Sequence, residues 1–210
     1  MTETLPAPLA LAIRTAAERW SGVSAPWLVG GSCGLALHAV PIGAAPRDVD
    51  IYVDAEGAAA FHSALLDYAS DEQQFSETER YRSTLSHYDI GGVVVELVAG
   101  FEVRAAGADY RIDIGGAMER HALRADVGGE PVGVMPLAHE LAFNLLRERA
   151  DRYEAIAAAM RADLAAHLPA LRDIVADNRF DAAWRGRITE LLGLADDAFT
   201  PGGEVPRCRE

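Results

Sequence analysis

The sequence predicts an α+β protein: a mixed sheet flanked by helices, followed by a helical C-terminal part. Three observations carry this. The apolar run Trp27, Leu28, Val29 leads through Gly30-Gly31-Ser32 into a segment of helical spacing over residues 35–40, which reads as strand, tight turn and helix. Two β-rich runs, residues 81–90 and 93–99, flank Gly91-Gly92, the pattern of a hairpin. From Pro136 onward apolar residues recur at helical intervals without strand-like alternation.

Taken in order, residues 9–20 read as a first helix, with Leu11, Ala12, Thr15, Ala16 and Arg19 at helical spacing and Ser21-Gly22 as its stop. It is expected to pack on the sheet. Pro41, Gly43 and Pro46 mark a loop, and residues 48–53 form the next strand. Residues 54–68 read as helix, with Ala58, Phe61, Leu65 and Tyr68 along one side. The polar stretch 71–79 reads as loop, residues 101–124 as further strand, and 127–134 as a second turn-linked segment around Gly128-Gly129. Pro136 suits the first turn of a helix, where its missing N–H costs nothing; that helix is expected to run to about residue 160. Residues 164–199 read as helices broken near Pro169 and Asn178. The expected organisation is a sheet-containing domain over 1–135, a helical region over 136–200 and a mobile tail over 201–210.

Length and composition narrow the classes. With 210 residues, half of them hydrophobic, the chain can build a sizeable core and is not a disordered polyelectrolyte. No apolar run approaches the roughly 18–20 residues that span a bilayer, and the N-terminus lacks the charged and apolar regions of a signal peptide. The two cysteines, Cys33 and Cys208, lie far apart; a reducing cytoplasm is the expected location and a structural disulfide is not expected. Net charge is −13, and all 19 basic residues are arginine. So acidic a chain is not a general nucleic-acid binder, because phosphate contacts need a basic footprint; tRNA held in one arginine-lined groove stays open.

Residues 27–53 carry the candidate chemistry. Glycines between a strand and a helix let backbone approach an anion, and free N–H groups at the helix start point towards it; Ser32 can bind phosphate, cap the helix, or both. Alternation puts Asp48, Asp50 and Tyr52 on one face of the next strand and Val49, Ile51 and Val53 on the other. Adjacent carboxylates repel unless a divalent cation lies between them, and oxygen ligands are what magnesium takes. A third acid, Glu96, interrupts the apolar strand Val93-Val94-Val95-Glu96-Leu97-Val98. Burying it alone costs on the order of several kcal/mol, so it needs a partner: Arg82 on the neighbouring strand, or the same cation. His38, His87 and His139 show no metal-site spacing and read as ordinary polar residues.

Gly30-Gly31-Ser32 followed by Asp48-x-Asp50 resembles the signature of the DNA polymerase β-type nucleotidyltransferase superfamily. The resemblance is strongest to its small bacterial members: minimal nucleotidyltransferases, AbiEii-type toxins of toxin–antitoxin pairs, and enzymes that nucleotidylate aminoglycosides or lincosamides. Sixteen residues separate Gly31 from Asp48, a longer connection than is usual there. The resemblance implies a nucleotidyltransferase-like fold with Asp48, Asp50 and Glu96 as catalytic acids and ligands of two magnesium ions. It further implies in-line transfer of a nucleoside monophosphate from an NTP, ATP among the candidates, to a hydroxyl, with release of pyrophosphate. Glu96 would serve as metal ligand or general base. Gly30, Gly31 and Ser32 would hold phosphates. Arg47, beside the acid pair, and Arg149 and Arg152, on one helical stripe with Leu145 and Ile156, are nucleotide-binding candidates or else surface and snorkelling side chains. AbiEii-type toxins carry a lysine on a comparable helix; Asn144 stands there in this chain, so that role is not transferred. The acceptor stays open between a small molecule, a protein side chain and a tRNA end. The alternative is a toxin–antitoxin or regulatory module in which the same fold binds a protein partner.

Overall fold

The computed structural model describes residues 5–195 and 198–199. The expected mobile tail and Cys208 lie outside the described residues.

A first helix, α1 (Ala7–Arg19), begins behind Pro6 and buries Leu9, Ala12, Ile13, Ala16 and Ala17 as one face. β1 (Trp27–Gly30) runs directly into the short helix α2 (Gly31–Leu37). β2 (Val49–Val53) follows the loop and pairs antiparallel with β1, so that Gly30 lies opposite Asp50. The expected helix over 54–68 is broken: only α3 (Ala58–Ala64) is α-helical, between single tight turns at 55–57 and 66–68. Of its expected buried side, Ala58, Phe61 and Leu65 lie in the core and Tyr68 is half-buried against it.

β3 (Gln74–Glu77) occupies part of the expected loop 71–79. All four of its residues are exposed, so no alternation announced it; the strand exists through its pairing with β4 (Tyr81–Ile90). β4 and β5 (Val93–Ala105) form the expected hairpin, and β5 runs well past residue 99. The expected strand over 101–124 resolves into the end of β5, β6 (Ala108–Arg111), a helical turn at 114–118 and the start of β7 (Leu123–Val127). Asp54 causes that turn: its carboxylate accepts the N–H groups of Ile114 and Gly115, both at 2.8 Å. β7 and β8 (Glu130–Val134) form the second hairpin at Gly128-Gly129.

The helix expected from 136 to 160 is two helices, α4 (Leu137–Leu146) and α5 (Ala150–Ala162). Glu148, with φ +59°, breaks them apart, since left-handed backbone cannot continue a right-handed helix. α6 (Leu164–Asp177) is capped by Asp163 and passes through Pro169 unbroken; the expected break falls only at Asn178. β9 (Arg179–Phe180) and α7 (Ala182–Leu192) complete the described chain.

The main sheet order is β3-β4-β5-β2-β1-β8-β7, with β6 paired to β5 and β9 to β6. α1 and α3 cover one face, against Val29, Val49, Ile51, Val53, Val95 and Leu97. Helices α4 to α7 contribute to the core on the other face, which includes Leu28, Tyr52 and Val98. The polar side chains of β2 and the middle of β5 therefore point towards the later helices. Among the described residues no helix is long and apolar enough to cross a membrane.

Candidate active site

The parallel pairing of β2 with β5 sets Asp50 opposite Glu96. Because side chains alternate along both strands, the register puts the two carboxylates on the same face. Asp48 precedes β2 by one residue and opens into the same pocket, of about 450 Å³. Its lining also includes Gly31, Ser32, Glu140, Arg147 and Arg152 at the charged end. Tyr81, Phe101 and Phe143, with the hydroxyls of Ser76, Thr78 and Ser83, line the rest. Tyr81 stacks on Phe101, and Phe101 meets Phe143 edge to face.

The glycines serve the site by yielding space. A Cβ on Gly31 would stand 1.8 Å from Asp50 Oδ2, and the residue has φ +57°. A Cβ on Gly30 would meet the Tyr52 ring at 2.6 Å. The turn must lie flat against β2 for Asp50 to reach the pocket, which only unsubstituted carbons allow. Cys33, in the next turn, donates its thiol to Asp48 O at 3.2 Å. Burial, with the charges of Asp50 and Asp48 added, pushes that thiol up to about 12, so it is a packing residue rather than a nucleophile.

The electrostatics are those of an uncompensated acid cluster. Burial, then the charges of Glu96 and Asp48, push Asp50 up to about 6 against the pull of Arg152 and Arg147. Glu96 is bonded, but not to Arg82: His87 Nε2 lies 3.0 Å from Glu96 Oε2, while Arg82 pairs with Glu102. His87 is thus no ordinary surface residue. It sits directly across the β4–β5 ladder from Glu96. Its hydrogen bond to Asp71 foremost, then that to Glu96, raises its pKa against partial burial.

The donor set fits a hard divalent cation in chemistry: three carboxylates on one face, two of which, Asp48 and Asp50, receive no side-chain hydrogen bond among the described residues. As they stand, the acids are not gathered around one point; among the described residues no three His, Cys, Asp or Glu groups are close enough to share a metal ion.

Sequence reasoning left two further residues out of the site. Glu140, on α4, is 1% exposed and accepts the Gly31 N–H at 2.8 Å. Its burial, reinforced by Asp50 and opposed by that hydrogen bond and by Arg152 and Arg147, pushes it up to about 7. Asn144 Nδ2 lies 3.3 Å from its other oxygen, while Asn144 Oδ1 is buried with no partner among the described residues. A charged residue amid Leu137, Ala138, Leu141 and Ala142 was the available signal. Arg147 is the other, placed in the pocket with its guanidinium over the Phe143 ring at 4.6 Å.

The expected arginines separate. Arg152 reaches the pocket and donates to Ser32 Oγ at 3.0 Å. Arg149 does not line it; the turn at Glu148 directs it to Asp151, at 2.7 and 2.9 Å. Arg47 is exposed and also stands outside the lining.

A solved structure shares this fold, and others align more weakly. A Thermotoga maritima protein provisionally classed as a nucleotidyltransferase aligns with a TM-score of 0.57 at 25% identity, over 69% of this chain and 88% of its own. ANT(2'')-Ia in complex with adenylyl-2''-tobramycin gives 0.49 at 13%, over 85% and 97%. A nucleotidyltransferase-like protein from Paracoccidioides brasiliensis gives 0.44 at 12%, over 95% and 99%. The sequence matches no protein-family model and no curated protein. By its fold the chain is a nucleotidyltransferase-like superfamily member.

Proposed function

We propose that the protein transfers a nucleoside monophosphate from an NTP to a hydroxyl acceptor, releasing pyrophosphate, in a magnesium-dependent reaction. The observation that carries this reading is the register of β2 on β5, which sets Asp50 beside Glu96, with Asp48, in a pocket that also holds Arg147 and Arg152. Acids and arginines lining one pocket suit a ligand that brings both a cation and phosphates.

Asp48, Asp50 and Glu96 would hold magnesium, which, when bound, acidifies the acceptor hydroxyl and neutralises charge on the leaving phosphates. Arg152 is placed to exchange Ser32 Oγ for a phosphate oxygen, and Arg147 to neutralise a second. The acceptor oxygen forms a bond to the α-phosphorus as the bond to the bridging oxygen of pyrophosphate breaks. The hydroxyl proton passes to Glu96 where that carboxylate serves as general base, the alternative to its service as a ligand. The aromatic and hydroxyl-bearing end leaves room for the base and a small acceptor.

The test is a thermal-shift screen with ATP, CTP, GTP and UTP, each with and without magnesium, followed by labelled-NTP incubation with a cell extract. A magnesium-dependent shift with one or more nucleotides, and a labelled product, are expected. No shift with any of the four refutes the transferase reading and leaves a protein-binding role for the fold.

A further inference from the structure

We propose that His87, clamped by Asp71, is a positioning residue for Glu96: it fixes the carboxylate that completes the cation site. The inference rests on the reading of the acid cluster given above.

The clamp is built from several contacts converging on one imidazole. His87 Nδ1 lies 2.6 Å from Asp71 Oδ2, and the His87 backbone N–H donates to Asp71 Oδ1 at 2.8 Å. Asp71 therefore grips ring and backbone of the same residue. Asp71 is itself held. Ser70 N–H donates to His87 O at 2.8 Å, and Ala69 bridges to Tyr88, so the segment before Asp71 is stitched along β4. With Nδ1 committed to Asp71, the ring presents Nε2 to Glu96 Oε2 at 3.0 Å.

A glutamate side chain otherwise has freedom about three torsions. Tying Oε2 to a ring held at its other nitrogen leaves Oε1 as the oxygen available to a cation, in a residue that the β2–β5 register sets opposite Asp50. Partners of this kind orient ligands in metal sites, and their removal costs about 10–100-fold in metal affinity. The competing explanation is a cross-strand ion pair that stabilises the hairpin and nothing else. His87 and Glu96 side chains are 36% and 34% exposed, and such pairs contribute little to stability.

Manganese is the probe, titrated into the full-length protein and followed by the electron paramagnetic resonance of the free ion, with and without the nucleotide that gives a thermal shift. His87→Ala is expected to weaken manganese binding at least tenfold. His87→Gln, whose amide N–H reaches about as far as Nε2, is expected to recover most of it. Asp71→Asn is expected to weaken it a few-fold, and stands in for His87→Ala if that variant does not fold. Unchanged or tighter binding in His87→Ala, with or without a lowered melting temperature, overturns the inference, as does a failure of His87→Gln to differ from His87→Ala. If the unaltered protein binds no manganese under either condition, the acid cluster is not a cation site and both readings fall. If it binds and His87→Ala binds equally, only the role of His87 falls.

Discussion

Glu140→Gln isolates the energetic cost of one buried charge. The Glu140 carboxyl is pushed from its ordinary 4.5 up to about 7, chiefly by burial. A raised folded pKa means that the native state keeps this proton over pH 4.5 to 7, where the unfolded chain has lost it. Stability therefore falls as pH rises through that window, and the loss is complete above the folded value. At 1.36 kcal/mol per pKa unit the full loss is about 3 kcal/mol. Glutamine carries no charge, and its carbonyl can still accept the Gly31 N–H. At pH 5 variant and wild type are expected to melt within a few degrees of each other. At pH 8 the variant is expected to melt roughly 6–12 °C higher, taking 2–4 °C per kcal/mol for a chain of this size. Asp50 adds to the Glu140 shift, so the difference between the curves reports the Glu140 charge together with its coupling to Asp50. The assay is scanning calorimetry from pH 5 to 8 in metal-free buffer. Parallel stability–pH curves would refute the argument, because they would mean the folded carboxyl ionises as easily as the unfolded one.

Other variants test other parts of the site. Asp50→Asn removes the carboxylate pressed between Glu96 and Asp48; the metal-free protein is expected to melt higher at pH 8 while the magnesium-dependent nucleotide shift disappears, and a retained shift would count against the cation site. Gly31→Ala drives a methyl into Asp50 and strains a left-handed residue; a loss on the order of 2–3 kcal/mol is expected in denaturant titration, and a wild-type midpoint would show that the turn can relax. Calorimetric titration of nucleotide separates the two arginines: Arg152→Ala is expected to weaken binding about tenfold, the cost of a charged hydrogen bond, and Arg149→Ala less than about twofold. Equal losses would restore the stripe that the sequence suggested.

Several features were legible because their signals are local. Gly30-Gly31-Ser32 between an apolar strand and a helix, the alternation of Asp48, Asp50 and Tyr52, and a single acid in an apolar run each lie within one element. The errors came where an element depends on a neighbour. β3 has no buried side and forms only against β4. The helix after Pro136 looked continuous because Arg147, Glu148 and Arg149 are acceptable helix residues; the left-handed turn at Glu148 exchanged Arg149 for Arg147 at the pocket.

The amino-acid sequence alone determined the α+β class, the glycine turn and the three acids, because periodicity and residue chemistry act over a few positions. Tertiary structure decided what surrounds those acids. Glu140 meets Gly31 across 109 residues and Arg152 meets Ser32 across 120, and His87 faces Glu96 only because the β4–β5 ladder sets that register. Contacts of that range depend on how strands and helices stack, and no pattern along the chain encodes which charged side chain will arrive opposite another.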